Sequence, residues 1–307
     1  MGSATDSPAS RDAPHPDSVS GFILLRPETT DEAIDLLRRH APRACLLAGG
    51  TDLLVQIRAR KVLPAYVIDL KRVRDLRSDV VRAGSFVEIG ALTLLADLAR
   101  DSQVRRLFPA LIEAVATVGS IQIRNRATLP GNICNASPAA DTVPPLLVYG
   151  AVVVLRGAGG ERTVALSDFF LGPGKTVRRE EEIVTGIRLP VPREREGAAF
   201  ERLTRRRGVD LATINVCCRV RESGETRFAF GAVGPRPLMA VEPTGRLRSG
   251  GLDGAERDRL LRSLFAATSP ITDVRASRDY RLSMLLVLSR RALARAIARM
   301  DAGAEGE

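Results

Sequence analysis

A chain of 307 residues and 33.1 kDa, 45% hydrophobic and 27% charged, can bury a large core and reads as two or three domains. Wholesale disorder and fibrous repeats are excluded, and apolar runs such as 144–155 are broken by Pro, Tyr and Gly well short of the roughly 20 residues a bilayer crossing needs. The formal charge of +10 invites a nucleic-acid reading. Yet of 46 basic residues only Lys61, Lys71 and Lys175 are lysine, the arginines are spread along the chain, and with no Trp and three Tyr few stacking platforms remain.

Residues 1–20 carry no positive n-region and no apolar stretch, so they read as a polar disordered leader, with the cytoplasm as the expected address. Residues 21–78 have a βαβαβ rhythm: a strand at 22–25, a helix over 30–39 with Asp31 and Glu32 in its first turn, and a strand at 44–47. A glycine turn, a helix to Arg58 and a strand at 66–70 follow. From Val80 the pattern becomes a hairpin, 80–83 and 86–90 around Gly84 and Ser85, after which Thr93 is expected to cap one helix and Pro109 to open another. A loop over 128–138, a helix ending near Tyr149, and strands at 151–156, 162–166 and 182–189 complete this part.

The charged, Pro-bearing stretch 190–197 is the linker candidate. Beyond it, strands at 198–203, 211–220, 226–233 and 237–241 precede two helices. The last covers 277–300 with an expected apolar face at Tyr280, Met284, Leu288, Ala292 and Ile297. The fold class is α/β, with a first domain over 21–190 (subdomains about 21–78 and 79–190) and a second over 195–301.

Cys45, Cys134, Cys217 and Cys218 show no CxxC spacing and sit among apolar or small residues, so disulfides and structural zinc are not expected. With His15 and His40 as the only histidines, chemistry built on a histidine base or ligand has little to work with. GPGKT at 172–176 lacks the leading glycine of a P-loop, since Phe169 stands there, and GAGGER at 157–162 puts arginine where a dinucleotide fingerprint needs its third glycine. Both read as turns.

The stretch from Leu47 through Ala48, Gly49, Gly50, Thr51 and Asp52 to Leu53 is different, because it follows a strand and opens a helix, where free N–H groups attract phosphate. Its glycines admit a ligand to the main chain and Thr51 adds a hydroxyl. The Asp52 carboxylate would repel phosphate, so its side chain is expected to cap the helix or turn away. In the second polar loop, Thr128 and Asn132 can donate to anionic oxygen or a ring carbonyl and Gly131 permits close approach. Asp141 can accept from a ribose or adenine, or cap the following helix.

Taken together, LLAGGTDLL at 46–54, QIRNRATLPGN at 122–132 followed by ASPAAD at 136–141, EEIVTGIRLP at 181–190 and SRDYR at 277–281 resemble one family in order and spacing. It is the FAD-binding medium subunit of the molybdenum hydroxylases, which include bacterial xanthine dehydrogenase and molybdenum-type carbon monoxide dehydrogenase. The resemblance covers about residues 20–300. It implies a two-subdomain FAD-binding domain of the PCMH type, with FAD extended in the cleft, followed by a smaller C-terminal α/β domain of the CO dehydrogenase flavoprotein type. It further implies that Leu47 to Leu53 and Thr128, Gly131 and Asn132 wrap the pyrophosphate from opposite sides and that Asp141 is a polar FAD contact. Val184 and Arg202 match positions flanking the flavin half; Arg202 stands where the family more often carries lysine.

Pro130 stands where the family usually has glycine, which removes one backbone N–H and implies weaker FAD binding. FAD is the only cofactor expected, since the scattered cysteines argue against a further 4Fe–4S cluster. The implied partners are a molybdopterin-binding large subunit and a 2Fe–2S small subunit, assembled as a dimer of heterotrimers. Electrons would pass from the 2Fe–2S clusters through FAD to an external acceptor, with no side chain acting as catalyst. Two competing readings are a self-contained FAD-dependent oxidoreductase acting on its own organic substrate, and an arginine-rich nucleic-acid module. The C-terminal stretch offers no His/Tyr/Glu cluster for a substrate pocket, which favours a docking or scaffold role.

Overall fold

The computed structural model describes residues 21–302; the leader expected over 1–20, with His15, lies outside the described residues. The first unit contains β1 (Ile23–Leu25), α1 (Thr30–His40), β2 (Ala44–Leu47), α2 (Leu53–Arg58) and β3 (Tyr66–Asp69), with the strands in parallel order β1-β3-β2. α1 begins where Thr29 accepts from the Glu32 N–H at 3.2 Å and Asp31 and Glu32 meet the positive end of the helix. Ala33, Ile34 and Leu37 recur at helical spacing and are buried against Ile68 and Leu70. β2 is an edge strand, and its C-terminal end runs directly into the glycine turn.

The second unit opens with β4 (Val80–Ala83) and β5 (Phe86–Gly90). Six short helices follow: α3 (Leu95–Leu98), α4 (Ser102–Leu107), α5 (Pro109–Thr117), α6 (Ile121–Arg124), α7 (Leu129–Cys134) and α8 (Val143–Val148). β6 (Val152–Gly157), β7 (Gly160–Ala165), α9 (Leu166–Phe169), β8 (Phe170–Gly172), β9 (Lys175–Thr176) and β10 (Ile183–Pro190) complete it. The five-stranded sheet has the order β4-β5-β10-β6-β7, and the two glycine stretches that fail as nucleotide motifs are the β6/β7 and β8/β9 hairpin turns.

Three expectations are corrected in this unit. Thr93 does not cap a helix: α3 starts after Leu94 with no side-chain cap, and the Thr93 hydroxyl donates to the Asp79 carbonyl at 3.0 Å. The loop expected over 128–138 contains α7, because Thr128 caps it and Pro130 falls in the first turn, where a missing N–H costs the helix nothing. β10 continues through Pro190, which pairs with Phe86, so the connection to the next sheet shortens to residues 191–195.

The third sheet is antiparallel, β11 (Glu196–Leu203), β12 (Ile214–Arg221), β13 (Thr226–Gly231) and β14 (Leu238–Glu242), followed by α10 (Gly254–Leu264) and α11 (Arg278–Ala302). α11 covers one face of β11 and β12, while α5 and α8 of the second unit cover the other. β12 is therefore buried on both faces, and successive cysteines serve different cores: Cys217 joins the core of the second unit and Cys218 that of the third.

The expected apolar face of α11 holds at Leu288 and Ala292, which are buried, and at Met284 and Ile297, which pack partly buried against the third sheet's core, but fails at Tyr280. Tyr280 is exposed, whereas Leu285, Leu288, Ala292, Leu293 and Ala296 are buried against β11 and β12, and Arg281 is buried with its charge paired to Asp273 at 2.6 Å. Burial opposes ionisation of Asp273, but hydrogen bonds from Arg275 and Arg281 outweigh it and hold its carboxyl well below the usual range. Glu113 of α5 stitches the units together, accepting from the Phe200 N–H at 2.9 Å and from Arg295 and Arg299 of α11.

Candidate functional site

The glycine turn after β2 and the segment 126–132 meet as the two walls of a cleft of about 280 Å³. Gly49 makes the contact possible: a Cβ there would stand 2.1 Å from the Arg126 carbonyl oxygen and 2.9 Å from Ala127 Cα. Only glycine lets the two backbones approach this closely. Gly50 has φ +75°, a conformation that other residues rarely adopt.

The first wall presents backbone donors. The first turn of a helix leaves its leading N–H groups without intrahelical partners, and here the first to bond is Leu54 N, to Gly50 O at 3.1 Å. Ala48, Gly49, Gly50, Thr51, Asp52 and Leu53 line the cleft, while Leu47 lies beneath the turn with its side chain against Gly50. Asp52 does not cap α2. Its carboxylate accepts from Asn135 Nδ2 at 3.2 Å, and Asn135 Oδ1 accepts from Gln56 Nε2 at 3.2 Å, so the acidic group is held by the opposite wall and the walls are strutted together.

The second wall has used its backbone donors internally. Leu129 N bonds Thr93 O at 3.2 Å, Pro130 has no N–H, Gly131 N bonds Thr128 Oγ1 at 3.1 Å and Asn132 N bonds Thr128 O at 3.0 Å. Side chains take over the donor role. Thr128 accepts from Gly131 and keeps its hydroxyl proton to donate, while Asn132 accepts from the buried Thr142 hydroxyl at 2.7 Å, which leaves its Nδ2 group as a donor. Gly131 packs its Cα against the Thr128 hydroxyl, where a Cβ would come within 2.7 Å. Ile183 and Val184 of β10 lie at the floor, Val184 at a β-bulge against β6.

Asp141 and Arg202 do not line this cleft. They form a buried pair 3.1 Å apart at the junction with the third sheet, where Asn215 Nδ2 donates to Asp141 at 2.8 Å and Arg202 donates to the carbonyls of Thr117, at 2.7 Å, and Asp210. Burial pushes the Asp141 carboxyl above the usual range, with Arg202 and Asn215 working against the shift. Asp141 reaches the cleft only through its neighbour Thr142, which holds Asn132.

Cys45, Gln56, Cys134, Asn135 and Arg178 also line the cleft, and sequence reasoning assigned none of them a role there. Asn135 stood inside the recognised loop without a spacing signal. Gln56 lies one helical turn beyond the glycine motif. Arg178 is one of two consecutive arginines before an acidic run, and nothing in that pattern points inward.

A mixed α/β chain with two glycine-bearing helix starts facing one cleft has the features of a phosphate-binding, nucleotide-type site. Residues 19–192 match the FAD binding domain in molybdopterin dehydrogenase, and residues 198–296 match the CO dehydrogenase flavoprotein C-terminal domain. The chain is 34% identical to the carbon monoxide dehydrogenase medium chain of Hydrogenophaga pseudoflava, over 91% of this chain and 98% of that one. It is 31% identical to the xanthine dehydrogenase FAD-binding subunit of Escherichia coli O157:H7, over 89% and 95%.

Among solved structures, the carbon monoxide dehydrogenase of H. pseudoflava lacking the Mo-pyranopterin moiety superposes with a TM-score of 0.84 over 91% of this chain and 98% of that chain, at 34% identity. Quinoline 2-oxidoreductase from Pseudomonas putida 86 gives 0.83 over 91% and 97%, at 26% identity. The chain belongs to the family of FAD-binding subunits of the molybdenum hydroxylases, an oxidoreductase flavoprotein family, and its cofactor is FAD.

Proposed function

We propose that this chain is the outlet of a molybdenum hydroxylase in the cytoplasm, assembled with a molybdopterin-binding large subunit and a 2Fe–2S small subunit as a dimer of heterotrimers. Bound FAD supplies the redox chemistry, taking electrons from the 2Fe–2S clusters to an external acceptor. The observation that supports the reading is the Gly49 contact, where the absence of a Cβ lets two segments far apart in sequence pack backbone to backbone as the walls of one cleft.

The residues present fit the cofactor. The free N–H groups from Gly49 to Leu53 suit an anionic diphosphate, Thr51 adds a hydroxyl, and Leu47 supports the turn from beneath. Across the cleft, Thr128 and Asn132 donate through side chains and Gly131 allows close approach. Val184 forms an apolar floor. Asp141, paired with Arg202, backs this wall through Thr142 and presents the polar junction flanking the flavin half. The domain division about 21–190 and 195–301 follows the same reading, the second part serving as scaffold.

The test is partnership. Native purification is expected to yield a yellow complex with a flavin absorbance band, containing a molybdopterin subunit and an iron–sulfur subunit. An isolated chain that reduces its own flavin with an organic substrate overturns the subunit reading in favour of a self-contained oxidoreductase.

A further inference from the structure

Among the described residues lining the cleft, one side chain is cationic and one is anionic: Arg178 and Asp52. The Asp52 carboxylate accepts from Asn135 Nδ2. Arg178 is held differently. Its NH1 group donates to the carbonyls of Arg179, Glu180 and Glu182 at 2.9, 3.4 and 2.7 Å, which fixes the plane of the guanidinium, while Nε and NH2 have no protein partner among the described residues. The anchoring turn is itself braced: Glu182 accepts from the Arg179 N–H at 2.7 Å and pairs with Arg162 at 2.6 Å.

The charge stands between the walls. Cys45 on β2 and Cys134 on α7 both feel it: burial raises each thiol, Cys134 to about 11, and Arg178 works against the rise in both. A rigid guanidinium with one open edge matches a pair of phosphate oxygens better than any other side chain. The same cleft contains Pro130, which lacks the N–H that a residue other than proline would contribute.

Resting on the FAD reading of the cleft, we propose that Arg178 is a phosphate-holding residue, its Nε/NH2 edge gripping the diphosphate of the dinucleotide in place of the backbone donor absent at Pro130. An arginine that merely braces the turn 179–182 would affect all ligands alike. One that grips phosphate distinguishes ADP from adenosine.

The experiment is calorimetric titration of the flavin-free full-length chain, as wild type, R178Q and R178K, with FAD, ADP and adenosine. R178Q is expected to weaken FAD and ADP by about 10- to 100-fold, the scale of a charge-assisted hydrogen bond, and to leave adenosine within about twofold. R178K, keeping the charge but not the fork, falls between. Wild-type ADP affinity also declines more steeply with salt than that of R178Q. ADP affinity unchanged in R178Q, or adenosine weakened as much as ADP, overturns the role of Arg178 alone. A wild-type chain that binds neither FAD nor ADP overturns the cofactor reading and this inference with it.

Discussion

The two walls of the cleft follow one plan, a glycine-bearing turn opening a six-residue helix, yet they offer a ligand opposite things. The wall after β2 has no capping side chain, so its leading N–H groups stay free. The wall at Thr128 caps itself, and every N–H in its first turn is used or absent. A self-capped helix start has no backbone left for a ligand and can offer only side chains; on the proposed reading that falls to Asn132, braced by Thr142, while the other wall offers backbone N–H groups.

The harshest way to break this contrast is Gly49→Val. Its side chain collides with the Arg126 carbonyl and forces the walls apart. The expected result is a loss of FAD affinity beyond about 100-fold and a stability loss of about 1–3 kcal/mol, read by flavin content and thermal melting. Asn132→Ala removes the second wall's amide donor and leaves Thr142 without its acceptor. FAD affinity is expected to drop by about 10-fold or more, with Thr142→Val showing a smaller loss in the same titration.

Asn135→Ala cuts both struts and frees the Asp52 carboxylate. Stability should fall by about 0.5–1.5 kcal/mol per hydrogen bond, with FAD binding weakened further at low salt, where the freed charge repels phosphate most. Pro130→Ala restores an N–H to the self-capped wall and is expected to tighten FAD by about two- to fivefold; unchanged affinity would show that this backbone position never faces the cofactor.

The smallest effect concerns pH. Burial raises the Asp141 carboxyl in the folded chain, so its protonation favours the fold: that contribution is complete below the ordinary aspartate value of 3.8 and disappears as pH rises through the raised folded value. Melting temperatures of wild type and Asp141→Asn should therefore change relative to each other as pH rises from 3.8 through the raised folded value and run parallel above it.

Much of this was legible in the chain itself. The hairpin at 80–90 and the strand at 44–47 are short β-branched or apolar runs bounded by turn residues, so local pattern suffices. α7 was not legible, because Pro and Gly in a short helix look like a loop until Thr128 is seen to cap it. One position of the α11 face was misplaced for a related reason: periodicity ranks Tyr280 above Arg281, whereas the fold brings the Asp273 carboxylate close enough to pair with Arg281 in the interior.

Sequence alone determined the α/β rhythm, the two glycine turns and the family they resemble, since strand alternation, helix caps and glycine conformations are properties of near neighbours. Tertiary structure decided which groups line the cleft. It set Gly49 against Arg126, turned Asp52 toward Asn135, withdrew Asp141 and Arg202 into a pair of their own and brought Arg178 to the cleft. Each of these contacts joins residues distant along the chain or depends on how distant strands pack, and no local pattern encodes such a meeting.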